Sequence, residues 1–250
     1  LAGSGLIAIG DWRLIFYFLC GAALVSLVLT RVMLPETLAR ENRVPVNLGA
    51  MLRGTKHLFC DPYFMGLTFI GAFGMGSFFV FLSSASFVYT GQFGLSPTQF
   101  SLAFAVNAIG FFAASQVAGP LGSRIGMSRV VLFGTLGFAF FACLLAVAGF
   151  AGFADLWVII ALLFCANAGL GLVIPSTMVM ALDPHGDIAG LASSLGGAIQ
   201  MLTGGAIVVL VSPYFDGTAL PMIVAIALCA LVAMLLVVLV MRRQTPVVAG

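Results

Sequence analysis

The sequence predicts an all-α fold, a polytopic bundle of membrane-spanning helices. Of its 250 residues, 62% are hydrophobic and only 7% are charged, whereas a soluble domain carries roughly 25% charged residues. The apolar residues lie in long runs of about 20, the length that a helix needs to cross a bilayer core. So few charged residues could not cover a surface that faces water. We therefore infer that the helices are surrounded mainly by lipid.

Seven apolar runs are long enough to span, and each must satisfy its own backbone hydrogen bonds as a helix. We place these spans at about 14–34, 64–88, 98–119, 129–151, 156–180, 189–211 and 218–241. Residues 1–10 are predicted to be the tail of an earlier span. The chain opens at Leu1 inside an apolar stretch that lacks a basic start and a cleavage site, so we expect a fragment rather than a signal peptide.

Residues typical of helix starts precede several spans. Ser96, Pro97 and Gln99 form a capping-box pattern. Five aspartates stand just ahead of apolar runs, where a carboxylate can accept free backbone N–H groups. They are Asp11, Asp61, Asp155, Asp187 and Asp216. We interpret them as structural caps.

The basic residues indicate how the chain is oriented. Nine of them fall on one side of the seven-span arrangement: Arg31, Arg40, Arg43, Arg53, Lys56, Arg124, Arg129, Arg242 and Arg243. Only Arg13 falls on the other side. By the positive-inside rule the crowded side is cytoplasmic, so the C-terminus is predicted to be cytoplasmic.

The long polar connection 35–63 carries apolar residues at helical spacing, with Arg53, Lys56 and His57 among them. Two interpretations stay open: a helix lying along the inner membrane surface, or a partly ordered basic linker. Six spans follow in two sets of three that enter the membrane from opposite sides. Such inverted 3+3 repeats are typical of secondary transporters.

No Asp, Glu, Lys, Arg or His lies at the depth of any predicted span, where such residues are costly and usually functional. The sequence contains no HExxH or GxSxG pattern, and its five cysteines form no CxxC pair. We therefore expect no enzyme, no catalytic residue, no metal site and no cofactor. The small net charge of +2 also gives no reason to expect nucleic-acid binding.

Amides within the spans are the best candidates for a binding site. Large amides are expensive to bury near mid-membrane, and Asn107 shares a helical face with Phe104 and Phe111. Together with Asn167 and Gln200 these residues are our candidates for lining a substrate cavity. Alternatively, the amides bond neighbouring helices, and the small residues around Gln200 at i, i+4 spacing serve close helix packing.

Residues 119–129, GPLGSRIGMSR, resemble the cytoplasmic GxLxDRxGRR signature of the major facilitator superfamily. Gly119, Arg124, Gly126 and Arg129 match, and Ser123 replaces the aspartate. The resemblance implies that the matching residues gate the inner face. Further segments resemble the Bcr/CflA group of drug-resistance transporters, in family order: Asp11-Trp12-Arg13, Leu34-Pro35-Glu36-Thr37-Leu38, Ser84-Ala85-Ser86-Phe87-Val88, Asn107-Ala108-Ile109-Gly110 and residues 181–194.

The resemblance implies a bacterial inner-membrane exporter of drug-like small molecules, working by proton antiport and alternating access. It divides the chain into the end of an N-terminal half (1–34), a cytoplasmic interdomain loop (35–63), a six-span C-terminal domain (64–241) and a cytoplasmic tail (242–250). The missing N-terminal half would be the partner, in a full-length monomer driven by a proton gradient. Two alternatives stay open: a transporter of one metabolite, such as a sugar, nucleoside or amino-acid derivative, and a non-transporting scaffold or truncated half-transporter.

Overall fold

The computed structural model describes residues 11–33 and 47–243. Within these ranges the regular structure is helical, and the α-helices are α1 Arg13–Met33, α2 Leu48–Cys60, α3 Pro62–Ser86, α4 Pro97–Ile125, α5 Met127–Phe150, α6 Leu156–Leu182, α7 Ala189–Val211 and α8 Ala219–Arg243. Three predicted parts fall wholly or partly outside the described residues: the tail of an earlier span (1–10), residues 35–46 of the predicted interdomain loop, and the predicted C-terminal tail beyond 243. Residue 34, the end of the first predicted span, lies outside them too.

The seven predicted spans correspond to seven of these helices. Six stretches of the described chain are long and apolar enough to cross a membrane, and the longest, Leu156–Tyr214, contains both α6 and α7. The 3-10 segment Asp183–Ile188 joins those two helices. The protein is therefore a multi-pass membrane protein built as an all-α bundle.

Two span ends were predicted too early. Helix α3 continues into a π-helical segment, Phe87–Gln92. Helix α4 extends past the end of its apolar run at 119, through Pro120, as far as Ile125. It ends only where Gly126 adopts a φ of 91°, a left-handed conformation that side chains rarely accept. A change of backbone conformation, and not the loss of hydrophobicity, determines where α4 stops.

The predicted caps are confirmed in part. Ser96 and Gln99 form both hydrogen bonds of a capping box at the start of α4, and Asp61 accepts from the backbone N–H of Tyr63. Asp11 and Asp216 likewise accept from nearby backbone N–H groups. For Asp155 the prediction is right in position only, since it is the N-cap residue of α6 but its side chain makes no capping bond. The prediction is wrong for Asp187, which lies inside the 3-10 segment, where Ile188 is the residue that precedes α7.

The six helices α3 to α8 pack as two interlocked sets of three. The first helix of each set packs against the second and third helices of the other set: α3 lies against α7 and α8, and α6 lies against α4 and α5. Contacts between α3 and α6 and between α5 and α8 join equivalent members of the two sets. The matching contacts of the two sets fit an inverted 3+3 repeat, and the predicted fold class, a polytopic all-α bundle, is confirmed.

Close approach of α4 and α6 depends on a glycine. A Cβ on Gly171 of α6 would collide with the backbone carbonyl of Phe111 on α4. On α7, the small residues predicted to serve helix packing are indeed buried together with Gln200: Ala192, Gly196 and Gly204. As in other membrane proteins, small residues let the backbones come near enough for extensive van der Waals contact.

The chain divides into two compact units, residues 1–50 and 51–250. In the first, α1 has no buried residue. In the second, the apolar core forms two clusters. One cluster includes Leu58, Val131 and Val240. It lies at the end of the bundle where the helices carry Arg53, Arg124, Arg129 and Arg242, and we call this end the basic end. The other includes Tyr89, Leu145 and Ile223 and marks the opposite end.

Part of the predicted interdomain loop is helical. This agrees with the interpretation of the loop as a helix and not with that of a partly ordered linker. In α2, Leu58 is fully buried, while Leu52 and Phe59 are exposed. Gly54 of α2 lies against Leu191 of α7. The helical character is thus confirmed over 48–60, and its position along a membrane surface stays a prediction.

Candidate functional site

An aromatic cavity of about 300 Å³ lies where α3, α4 and α6 meet. Its lining is almost wholly apolar, and Asn107 and Asn167 are the two amides in it. The other lining residues are Met75, Phe78, Phe81, Phe104, Ala108, Phe111, Phe112 and Ile174. Cavities that bind small molecules commonly combine an apolar wall with a few polar groups of this kind. Four of the five predicted cavity residues are thus brought together: Phe104, Asn107, Phe111 and Asn167.

The two asparagines are joined by a hydrogen bond across the α4–α6 contact. Asn167 Nδ2 donates to Asn107 Oδ1 at 3.3 Å, and Asn107 Nδ2 donates to the carbonyl of Ala103, one turn earlier, at 3.1 Å. Both side chains are buried. Among the described residues Asn167 Oδ1 has no hydrogen-bond partner. The two amides therefore satisfy some of their hydrogen-bonding groups within the protein, and Asn167 Oδ1 can still accept a hydrogen bond.

Stacked rings form the cavity wall. Phe81 of α3 stacks on Phe104 of α4, with ring centroids 5.5 Å apart and planes inclined by 14°. Phe78 stacks less closely on Phe111, at 6.4 Å. Aromatic pairs of this kind add to the stability gained from burial alone. The wall offers flat apolar surfaces to a bound molecule, and its shape is set by contacts between two helices.

Tyr89 lies behind this wall in the π-helical segment. Its ring makes edge contacts with Phe81 and Phe100 at centroid distances of 6.3 and 6.1 Å. The side chain is fully buried, and its hydroxyl has no hydrogen-bond partner among the described residues. A buried phenol without a partner therefore lies behind the cavity wall.

Gln200, the fifth predicted cavity residue, lies elsewhere. Its amide covers Gly71 of α3, where a Cβ would come within 2.7 Å of Gln200 Nε2 and within 3.2 Å of Thr177 Oγ1. Gln200 is buried at the contact between α7 and α3, whereas the cavity lies between α3, α4 and α6. Gln200 and Asn107 occupy equivalent places in the two sets of helices. Asn107 is on α4, the second helix of the first set, and faces α6, whereas Gln200 is on α7, the second helix of the second set, and faces α3.

The predicted gating residues occupy the α4–α5 turn. Gly126 reverses the chain within a single residue between the two helices, and Gly119 is exposed on α4. Arg124 and Arg129 are exposed as well. Neither arginine forms an ion pair or hydrogen bond with any residue that the structure describes. The gating role of these residues stays a prediction.

Sequence reasoning missed several residues of the cavity, including Phe78, Phe81 and Phe112. No periodic signal marks them, because a helix surrounded by lipid is apolar on every side and shows no contrast between a core face and a polar face. The signal that was present is the density of phenylalanine in α3 and α4. As to metal sites, the described ranges hold no group of three His, Cys, Asp or Glu side chains placed to bind an ion.

Comparison with known families decides the class of the protein. The model of the Major Facilitator Superfamily matches residues 78–249, which include every lining residue of the cavity except Met75. The chain belongs to the major facilitator superfamily. Members of this family are transporters rather than enzymes and generally need no cofactor, in line with the predictions made from the sequence.

Two curated relatives extend the comparison. The chain is 29% identical over 221 residues to an uncharacterized MFS-type transporter, YdgK, of Bacillus subtilis, an alignment that covers 87% of this chain and 54% of the relative. It is 26% identical over 238 residues to a bicyclomycin resistance protein homolog of Haemophilus influenzae, covering 94% and 59%. The chain thus spans a little over half the length of these relatives. They support the predicted Bcr/CflA-type resemblance.

Proposed function

We propose that this chain forms the C-terminal half of a secondary transporter that exports drug-like compounds, with the aromatic cavity as its part of the cargo site. The observation that carries the proposal is the Asn107–Asn167 pair set in a wall of phenylalanines. A bulky, mainly apolar molecule would stack on the rings and form few directional hydrogen bonds. The name of the Haemophilus relative, a bicyclomycin resistance protein homolog, points to cargo of the same general kind.

Neutral cargo is favoured by the charges of the described residues. None of the cavity-lining residues is ionisable, and a buried charge on the cargo would need a partner in a medium of low dielectric constant. A sugar or nucleoside would in turn need more hydrogen-bond partners than two asparagines supply. We therefore prefer an uncharged, aromatic or otherwise apolar cargo over a polar metabolite.

Proton antiport by alternating access is the proposed driving mechanism, supported by the family and by the resemblance of its motifs. The proton carrier would then lie beyond the described residues, in an N-terminal half that completes the monomer. The same reasoning puts the transporter in a bacterial inner membrane with the basic end and the C-terminus facing the cytoplasm, since positive charges collect on that side.

Resistance profiling tests the proposal. Cells lacking their other exporters would overproduce the natively encoded transporter, and growth would be measured against bicyclomycin, chloramphenicol and polar control antibiotics, alongside metabolite release into the medium. We expect raised resistance to the neutral drugs and unchanged metabolite release. Unchanged resistance with increased release of one metabolite would instead identify a metabolite exporter, and no change in either would favour a scaffold.

A further inference from the structure

Helix α2 is held against the basic end of the bundle by one of its faces. Leu58 is fully buried and belongs to the apolar cluster at that end. One turn earlier, a Cβ on Gly54 would lie 2.7 Å from Leu191 Cδ2 of α7. The ring of His57 makes an edge contact with that of His185, with centroids 5.7 Å apart. These contacts fix the rotation of α2 about its own axis, and with it the directions of its other faces.

The connection to α3 places the end of α2 where the bundle enters lipid. Helix α2 ends at Cys60 and α3 begins at Pro62, so that Asp61 alone separates them. The N–H of Asp61 donates to the carbonyl groups of His57 and Leu58, which keeps this connection tight. The stretch that begins at Pro62 is long and apolar enough to cross a membrane. The last turn of α2 therefore lies at the boundary between lipid and water.

Two large apolar side chains of α2 face away from the bundle. Leu52 is 71% exposed and Phe59 is 52% exposed. They are seven residues apart, which is close to two helical turns, so they share one face of the helix. In water these side chains would cost free energy in proportion to their exposed apolar area. Acyl chains at the membrane boundary would remove that cost.

Arg53 and Lys56 form a basic face beside the apolar one. Both are exposed, and α2 contains no acidic residue. Asp183 and Asp187 are exposed on the neighbouring 3-10 segment, yet neither Arg53 nor Lys56 forms an ion pair or hydrogen bond with any residue that the structure describes. Exposed apolar side chains next to Lys and Arg are typical of helices that lie at an anionic membrane surface.

We propose that α2 is a docking site for anionic phospholipid in the leaflet at the basic end, with Leu52 and Phe59 among the acyl chains and Arg53 and Lys56 at the headgroup phosphates. Long basic side chains reach the headgroup level while their stems stay in the apolar region. A soluble anion would satisfy the basic face alone and would leave Leu52 and Phe59 in water. This inference goes beyond the export of cargo and does not depend on it.

Quenching by brominated lipids tests this site. The natively encoded transporter would carry Phe59→Trp in a background where every other tryptophan, Trp12 and Trp157 included, is replaced by phenylalanine. Vesicles would contain equal amounts of phosphatidylcholine and phosphatidylglycerol, with brominated acyl chains on one lipid or the other. Bromine quenches an indole only at short range, so the two kinds of vesicle report which lipid lies beside position 59. We expect brominated phosphatidylglycerol, the anionic lipid, to quench more strongly.

Substitutions on and away from α2 serve as controls. Arg53→Gln and Lys56→Gln should each lower the preference for phosphatidylglycerol about fivefold, the effect typical of one basic side chain at an anionic membrane surface. Phe150→Trp is the matched probe, because Phe150 is exposed at the other end of the bundle, where α5 ends. There the two brominated lipids should quench equally. Leu52→Trp repeats the measurement on the same face of α2 if Phe59→Trp does not fold.

Four results would overturn the proposal. Absence of quenching at position 59 would show that another part of the protein, and not lipid, covers this face of α2. Equal quenching there by both lipids would refute recognition of the anionic headgroup. A preference that survives Arg53→Gln together with Lys56→Gln would exclude these two residues as its source. The same preference at position 150 would show a general enrichment of anionic lipid rather than a site on α2.

Discussion

His185 Nε2 lies 2.9 Å from Asp61 Oδ2, joining two segments 124 residues apart in the chain. Asp61 is the N-cap of α3, and its other carboxylate oxygen accepts from the N–H of Tyr63. His185 belongs to the 3-10 segment between α6 and α7, where its ring makes edge contacts with His57 and Phe64. The Asp61 carboxylate thus caps α3, the first helix of the first set, and also binds the 3-10 segment that connects α6 and α7 in the second set.

Asp61 should therefore contribute more stability than His185. We expect Asp61→Ala and His185→Leu each to lower the unfolding temperature in detergent. Asp61→Ala should be the more destabilising by about 1 kcal/mol, because it also removes an N-cap. His185→Leu should have a smaller effect in the Asp61→Ala background, since the two residues share one interaction.

Asp216→Ala is the control for this comparison, because Asp216 is exposed and, within the described part of the chain, its side chain bonds only to Thr218, two residues away. Additive effects of Asp61→Ala and His185→Leu would show that the two side chains do not act as a pair.

A second prediction concerns the contact between α4 and α6. Gly171→Ala should lower the unfolding temperature, because the new methyl group would collide with the Phe111 carbonyl. Gly205→Ala on α7 is the matched change, since no atom lies within 4 Å of its added Cβ. It should be neutral or stabilising by up to about 1 kcal/mol through helix propensity. Equal effects of the two substitutions would argue against the close α4–α6 contact.

Much of the fold was predictable because lipid imposes simple constraints. Apolar length located the helices, and the Ser96 capping box and the Asp61 cap were visible locally. The pairing of Asp61 with His185 was not, since nothing local to either residue reports a contact across 124 positions. The end of α4 was missed because a glycine conformation ends that helix, and hydropathy does not detect it.

The cavity was predictable only through its polar members. Asn107 and Asn167 stand out against an apolar background, and Phe104 and Phe111 follow from their helical spacing to Asn107. Gln200 stands out for the same reason, yet it lies on α7, away from the cavity. Burial cost identifies an amide that needs an explanation, but it does not distinguish a residue facing a ligand from one facing a neighbouring helix.

This placement predicts a functional difference between the amides. Asn107→Leu or Asn167→Leu should raise the KM for a carbonyl-bearing drug such as chloramphenicol about fivefold to tenfold, the cost of roughly one hydrogen bond. Gln200→Leu should leave the ratio of KM values between chloramphenicol and a second exported drug unchanged. Uptake into inverted membrane vesicles is the measurement. A change in that ratio only in Gln200→Leu would relocate the cargo site to the α3–α7 contact.

The orientation of the bundle can be tested with thiol labelling. Cys60, at the end of α2, is exposed at the basic end. In a background without the other cysteines, a membrane-impermeant maleimide should label Cys60 and an Arg124→Cys variant only from the cytoplasmic side. A Phe153→Cys variant, in the exposed turn between α5 and α6, should be labelled only from outside. Labelling of Cys60 and Arg124→Cys from opposite sides would refute the seven-span topology.

Filling the cavity tests the proposed cargo site most directly. Ala108 lines the cavity, whereas the neighbouring Ile109 is 60% exposed on another face of α4. The flux of labelled chloramphenicol would be measured in proteoliposomes that contain the natively encoded transporter, Ala108→Phe or Ile109→Phe, with equal unfolding temperatures as the condition for comparison. We predict that Ala108→Phe abolishes the flux and that Ile109→Phe preserves it. Undiminished flux through Ala108→Phe would show that cargo does not use this cavity.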